Sequence, residues 1–203
     1  MPAIGITGGI STGKSTFCDC LREIVPAAKF FDADLAARSL PELPEVKQEI
    51  LGQFGGGVFS PDGDLNRTKL RTIVFADAAK RRALEQILHP RIHRQWMAEA
   101  QKHHNSREFF FADIPLLYET GGEKWCERVV VVACSRKVQL DRLSKRTPLK
   151  SSEAEQMLNA QMPLDEKIRR ADHVVWNNGD RGTLGEQARK LVVFWQEQSW
   201  TKI

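Results

Sequence analysis

The stretch Gly8-Gly9-Ile10-Ser11-Thr12-Gly13-Lys14-Ser15-Thr16 decides the fold. Its spacing is G-x-x-x-x-G-K-[ST], with Gly8, Gly13, Lys14 and Ser15 at the defining positions. It follows a short apolar run, Ala3-Ile4-Gly5-Ile6, and precedes a predicted helix from Thr16 to Ile24 that Pro26 ends. Strand, glycine-rich loop and helix in that order make a phosphate cradle. Glycines let the loop curl until backbone N–H groups face phosphate oxygens, and the helix adds its positive N-terminal end. In such a loop the lysine bridges the β- and γ-phosphates and the Ser15 hydroxyl ligates Mg²⁺. The expected nucleotide contacts are Gly9, Ser11, Thr12, Gly13, Lys14, Ser15 and Thr16.

Outward from the loop, an extended piece Ala28-Lys29-Phe30-Phe31 runs into Asp32-Ala33-Asp34. Acids just past a strand's C-terminal end lie on the sheet edge that carries the phosphate loop, where open parallel sheets bind ligands. The alternative is that an Asp there caps a helix over Leu35 to Ser39. Phe109-Phe110-Phe111-Ala112-Asp113 reads as a buried strand ending in an acid. Such a carboxylate holds Mg²⁺ or its water shell in phosphate-loop enzymes, or else bonds to a loop backbone. Arg128 to Cys134 is a valine-rich strand, and Ser135 is placed to cap a helix over Arg136 to Lys145. On that helix Gln139, Arg142 and Arg146 share one face while Leu140 and Leu143 turn inward. The cationic face suits a lid over polyphosphate, against the plainer reading of a solvated charged face. Asp172 to Trp176 is the last strand, and a final helix is predicted from about Leu184 to Trp195.

Residues 40–105 read as a mostly helical insertion. Asn66 is placed to cap a helix whose apolar side is Leu70, Ile73 and Val74. A further helical pattern runs through Leu84, Ile87 and Leu88 to His89-Pro90. A residue before proline is pushed out of the α region, so His89 is expected to end a helix or mark a kink. His89 and His93 have the spacing of a zinc pair, but no Glu follows His89 and Pro90 spoils the helical geometry, so zinc is not expected.

A net charge of +4 and a pI near 8.9 fit a small anionic substrate, and no long basic block speaks for nucleic acid. The N-terminus has no basic start followed by an apolar core, and the longest apolar run, Val129 to Cys134, is too short to span a bilayer. A cytoplasmic enzyme with no membrane, nucleic-acid or obligate protein partner is the expectation. Cys18, Cys20, Cys126 and Cys134 form no C-x-x-C pair and read as small semi-buried thiols.

Five strand candidates alternating with helices predict an α/β protein with a five-stranded parallel sheet covered on both faces. The chain resembles the dephospho-CoA kinase family over nearly its whole length. The resemblance rests on Thr7-Gly8-Gly9-Ile10 with Gly13-Lys14-Ser15-Thr16, then Asp32-Ala33-Asp34 and Ala37-Arg38. It continues through Gly63-Asp64-Leu65-Asn66-Arg67, Leu84-Glu85, His89-Pro90 and Asp113-Ile114-Pro115-Leu116-Leu117-Tyr118-Glu119. Gln139, Arg142-Leu143, Arg146, Gln161, Lys167, Ala171-Asp172 and Asn177-Asn178-Gly179 complete it. It implies a single domain over 1–203 with the three-layer P-loop NTPase fold. That domain would comprise a nucleotide-binding core (1–34, 106–135, 171–203), a helical acceptor insertion (35–105) and a helical lid (136–170). It implies a kinase that uses ATP and Mg²⁺ to phosphorylate the ribose 3′-hydroxyl of dephospho-CoA, the last step of coenzyme A biosynthesis. Asp34 would be the general base, with Lys14 and Arg142 also catalytic and Arg146 a further nucleotide contact. His89, Pro90, Leu116 and Asp34 would meet the acceptor, and Ser15 and Asp113 the metal. One departure stands out: the family carries Gly-Ser where this chain has Ser11-Thr12. A positive φ at Ser11 would carry strain of about 1 kcal/mol. A same-class alternative is a kinase for another nucleoside or nucleotide. A phosphate-loop GTPase is the other alternative, because Asn177-Asn178-Gly179-Asp180 partly imitates the Asn-Lys-x-Asp guanine motif, but it lacks the lysine.

Overall fold

The computed structural model describes residues 3–103, 108–146 and 151–197. In chain order its first elements are β1 (Ala3–Gly8), α1 (Lys14–Ile24), β2 (Lys29–Asp32), α2 (Ala33–Ser39), α3 (Pro44–Phe54), α4 (Arg67–Ala76) and α5 (Ala78–His103). Then follow β3 (Phe110–Asp113), β4 (Arg128–Ala133), α6 (Arg136–Arg146), α7 (Ser151–Asn159), α8 (Leu164–Arg170), β5 (His173–Trp176) and α9 (Arg181–Glu197). The chain divides into two compact units: Met1–Asp32 with Glu99–Ile203, and Ala33–Ala98.

The first unit is built on a five-stranded sheet in the order β2-β3-β1-β4-β5, with every pairing parallel. The unbroken apolar runs of β3 and β4 follow from that, because a parallel sheet is covered on both faces and both sets of side chains must be buried. One cluster joins Ile4, Ile6 and Val132 of the sheet to Phe17 and Leu21 of α1 and Trp195 of α9. Each such side chain contributes about 1.5–3 kcal/mol on full burial. On the other face, Leu117 lies so close to Gly5 that a Cβ there would fall 2.7 Å from Leu117 Cδ2. Cys18 and Cys20 are both buried, yet they face different ways, as their two-residue spacing on α1 requires. Cys18 turns to Asp113 at the end of β3, and Cys20 is the nearest neighbour of Gly185 on α9.

The strand ends that matter share one edge. Asp32 pairs with Asp113 and Ile6 pairs with Asp113 in register, so β1 delivers the phosphate loop beside two acidic strand ends.

The second unit is helical, around Val46, Ile50, Val58, Leu70 and Ile87. Asn66 caps α4 as expected, its Oδ1 accepting from Lys69 N at 3.0 Å. His89 does not end a helix: α5 runs unbroken from Ala78 to His103 with Pro90 inside it. Proline removes one N–H and crowds the carbonyls of the preceding turn. Here the Arg91 guanidinium donates to the Ile87 carbonyl at 2.6 Å, in the turn that leads into Pro90. The same guanidinium pairs with Glu49 of α3 at 2.5 Å.

Several boundaries differ locally, among them the starts of α1 and α2. Gly13, in the left-handed region at φ 90°, begins α1, and Phe17 N bonds to its carbonyl at 3.1 Å, so that helix starts two residues earlier than predicted. α2 starts at Ala33, directly after β2. Asp34 therefore lies inside the first helical turn and does not cap it.

Candidate active site

The phosphate loop is held by its carbonyls. Thr12 Oγ1 donates to Gly9 O at 2.9 Å and Gln139 Nε2 to Ile10 O at 2.9 Å. Asn177 Nδ2 and Arg142 donate to Thr12 O at 2.8 and 3.3 Å, and Lys167 Nζ reaches Gly8 O at 3.4 Å. Drawing carbonyls onto side-chain donors keeps the loop curled, which an anion nest of N–H groups requires. Two glycines are obligatory here. A Cβ on Gly13 would sit 2.0 Å from Asn177 Nδ2, and one on Gly8 would sit 2.5 Å from Val132 O.

Ser11 has φ 60° and is the one non-glycine with positive φ among the described residues. The strain expected of it is thus present. Its Oγ is also buried without a hydrogen-bond partner.

Lys14 Nζ forms an ion pair with Asp113 Oδ1, and Cys18 Sγ lies 3.4 Å from the other carboxylate oxygen. Asp113 is buried, being a strand end beneath the loop. Burial, then the Asp113 charge, push the Cys18 thiol far above its usual range, so it acts as a neutral donor and not as a nucleophile. Ser15 is exposed on the first turn of α1, and Thr16 is half-buried beside it.

The α6 face divides by role. Gln139 is buried against Ile10 O, Arg142 is half-buried against Thr12 O, and Arg146 is exposed. Ser135 Oγ accepts from Val138 N at 3.4 Å as the expected cap. Leu140 and Leu143 pack inward with Ala154, Leu158 and Ile10.

Asn177, Asn178 and Asp180 have structural duties. Asn178 Oδ1 accepts from Ser135 N at 2.8 Å, and Asp180 Oδ1 caps α9 by accepting from Thr183 N at 2.8 Å. Asn177 holds Thr12 O, so the residues that imitate a guanine motif are engaged elsewhere.

Lys167 belongs to the family resemblance, but no place in the site was expected of it. Its side chain is fully buried and donates to Pro115 O at 2.8 Å as well as pairing with Glu119 at 2.9 Å. Its burial follows from the packing of α8. Leu116, in the same segment as Pro115, is half-buried.

In the second unit, Asp34 and Pro90 are exposed. His89 is half-buried, and burial lowers its pKa below the usual imidazole value. The His93 ring meets Trp96 edge-on at 5.7 Å. Among the described residues, no group of three or more His, Cys, Asp or Glu is gathered as for a metal ion.

A phosphate loop on a parallel sheet, with its lysine on an acidic strand end, is the core of the phosphate-loop nucleotide-binding fold, and solved structures share that fold. Shikimate kinase from Acinetobacter baumannii superposes with a TM-score of 0.56 at 15% identity, covering 98% of this chain and 96% of that one. The match to dephospho-CoA kinase is closer: the model of that family matches residues 2–182. The chain belongs to the dephospho-CoA kinase family. It is 42% identical over 199 residues to dephospho-CoA kinase of Symbiobacterium thermophilum, covering 97% of this chain and 81% of the relative. Against the enzyme of Anaeromyxobacter dehalogenans it is 44% identical over 195 residues, covering 95% and 91%. A crystal structure from Thermus thermophilus superposes with a TM-score of 0.79 at 31% identity, covering 98% of each chain.

Proposed function

We propose that this chain carries out the reaction of its family, ATP-dependent phosphorylation of dephospho-CoA, at the ribose 3′-hydroxyl. The acceptor would be met by Asp34, His89, Pro90 and Leu116. The observation that carries the reading is the Lys14–Asp113 pair under the phosphate loop, in a chain whose residues 2–182 match the family. Phosphoryl transfer needs positioning and charge stabilisation more than covalent help. Lys14 and the loop amides hold the triphosphate. Arg142, with Arg146 as second cation, stabilises the transferring phosphoryl group. Asp34 accepts the proton of the 3′-hydroxyl and aligns it.

The donor set suits Mg²⁺. Ser15 offers a hydroxyl and Asp113 a carboxylate, both hard oxygen donors, and Mg²⁺ takes one or two protein oxygens alongside substrate phosphates and water. When bound, the ion neutralises charge on the β- and γ-phosphates. Lys14 must leave Asp113 for the phosphates at the same time, which frees the carboxylate.

We further take the helical stretch 35–105 as the acceptor region and 136–170 as a lid that excludes water on closing. The enzyme is read as cytoplasmic, acting on a small molecule without nucleic acid or an obligate protein partner. No helix of the described residues is long and apolar enough to cross a membrane.

An acceptor panel tests the reading: dephospho-CoA, adenosine, AMP and shikimate, each with ATP and Mg²⁺. Dephospho-CoA alone is expected to turn over efficiently. A higher kcat/KM with a nucleoside or nucleotide would assign the chain a different acceptor.

A further inference from the structure

Among the described residues, Lys167 is the one fully buried cation that the scheme above does not use. Its ammonium has three N–H donors and meets three acceptors: Pro115 O at 2.8 Å, Gly8 O at 3.4 Å and Glu119 Oε1 at 2.9 Å. Pro115 O is shared with Thr7 Oγ1 at 2.9 Å, and Glu119 Oε1 also accepts from Met162 N at 3.0 Å. The ammonium thus ties together the end of β1, the segment that follows Asp113, and the approach to α8. Stability alone does not account for it. A buried ion loses its hydration, and replacing a buried pair by apolar groups is often neutral or stabilising. Its placement points to the phosphate loop. Gly8 opens the loop, and Asp113 lies two residues before Pro115.

We propose that Lys167 is a positioning residue for nucleotide binding: it fixes the Gly8 and Pro115 carbonyls and supplies a second positive charge behind the phosphate loop. A triphosphate seated in the loop is attracted by that buried ammonium, so the buried charge favours the occupied site. Glu119 keeps Lys167 protonated, opposing both burial and Lys14, which pull its pKa down. Lys14 is itself paired with Asp113, so the charges facing this cluster are Glu119, Lys14 and Asp113.

The inference rests on reading the site as an ATP site, and its test is binding, not turnover. ATP affinity is measured by calorimetry for wild type, Lys167→Met and Glu119→Gln between about pH 7.5 and 9.5, below the ordinary lysine value. Lys167→Met, neutral and of similar length, is expected to weaken ATP by about 10- to 100-fold at every pH, the range typical of residues that support a site from behind. Glu119→Gln keeps the ammonium but removes what holds its proton. Its affinity should lie near wild type at the lower pH and fall toward that of Lys167→Met as pH rises. A purely structural tether would weaken both variants alike with no such pH dependence. Wild-type affinity in Lys167→Met, or a pH-independent Glu119→Gln, overturns the proposal. Should Lys167→Met fail to fold, the pH profile of Glu119→Gln decides alone. If the wild-type chain binds ATP but leaves dephospho-CoA unchanged, the acceptor assignment fails while this inference stands.

Discussion

Lys14 Nζ and Asp113 Oδ1 are joined in an ion pair across 99 residues of chain, under the loop that both would serve. The pair stores the lysine on the carboxylate that is read as the metal ligand. On the proposed reading, nucleotide and Mg²⁺ binding would make the pair change partners, the lysine to phosphate and the carboxylate to the cation. Lys14→Ala is expected to lower kcat by at least about 10²-fold, the usual effect of removing one preorganised charge. It also leaves Asp113 buried without its cation, so the variant should melt earlier than wild type, and Lys14→Ala with Asp113→Asn should regain part of that loss. Steady-state kinetics and thermal melts measure both, and near-normal turnover would remove Lys14 from the mechanism.

Asp34 is the acid proposed to meet the acceptor hydroxyl. For Asp34→Asn, ATP binding by calorimetry should match wild type while kcat falls about 10²- to 10⁴-fold, the range for loss of a general base. An unchanged rate would move the base role to Asp32 or to no residue.

Ser11→Gly should stabilise the protein. The left-handed conformation at φ 60° costs a non-glycine about 1–2 kcal/mol, and the buried unpartnered hydroxyl about 1 kcal/mol more. Glycine gives back roughly 0.5–1 kcal/mol through the freer unfolded chain. The net gain of about 1 kcal/mol corresponds to a rise in Tm of about 2–4 °C at this chain length. A lower Tm in the variant would contradict this assignment of strain.

His173 predicts a pH dependence. Its Nε2 accepts from the buried Trp195 Nε1 at 3.2 Å, so it must be unprotonated there. Burial lowers its pKa from 6.5; nearby Asp172 opposes the shift and Arg128 adds to it. A histidine with a depressed folded pKa binds more protons unfolded than folded in the window between the two values. Its contribution is therefore complete above about pH 6.5 and is lost as pH falls below that. Urea midpoints should drop between about pH 7 and 5, and less steeply in His173→Gln, whose amide oxygen still accepts from Trp195. His89 shifts in the same direction and leaves some slope in the variant. Equal slopes in the two proteins would clear His173 of the effect.

The parts legible in the sequence are those set by short-range rules. Thr7 to Thr16 fixes strand, loop and helix within ten neighbouring residues, and Asn66 and Ser135 cap helices by contacts three residues away. Even the strain at Ser11 follows from one substitution in a known loop shape. What the sequence hides depends on distant partners. His89 reads as a helix end or a kink because the rule for a residue before proline is local, whereas α5 runs on through Pro90 and the Arg91 guanidinium of that turn reaches Glu49 on another helix. Gln139 shared a polar face with Arg142 and Arg146, yet it is buried because Ile10 O lies opposite it. Lys167 is the extreme case, since nothing within α8 marks it as buried and all three of its acceptors come from elsewhere in the chain.

The most direct test of the central claim is the product itself. Incubated with ATP, Mg²⁺ and dephospho-CoA, the protein is expected to yield ADP and a product heavier by one phosphate, with phosphorus–proton correlation placing that phosphate on the ribose 3′-oxygen. A product phosphorylated elsewhere, or ADP formed with dephospho-CoA unchanged, would contradict the account.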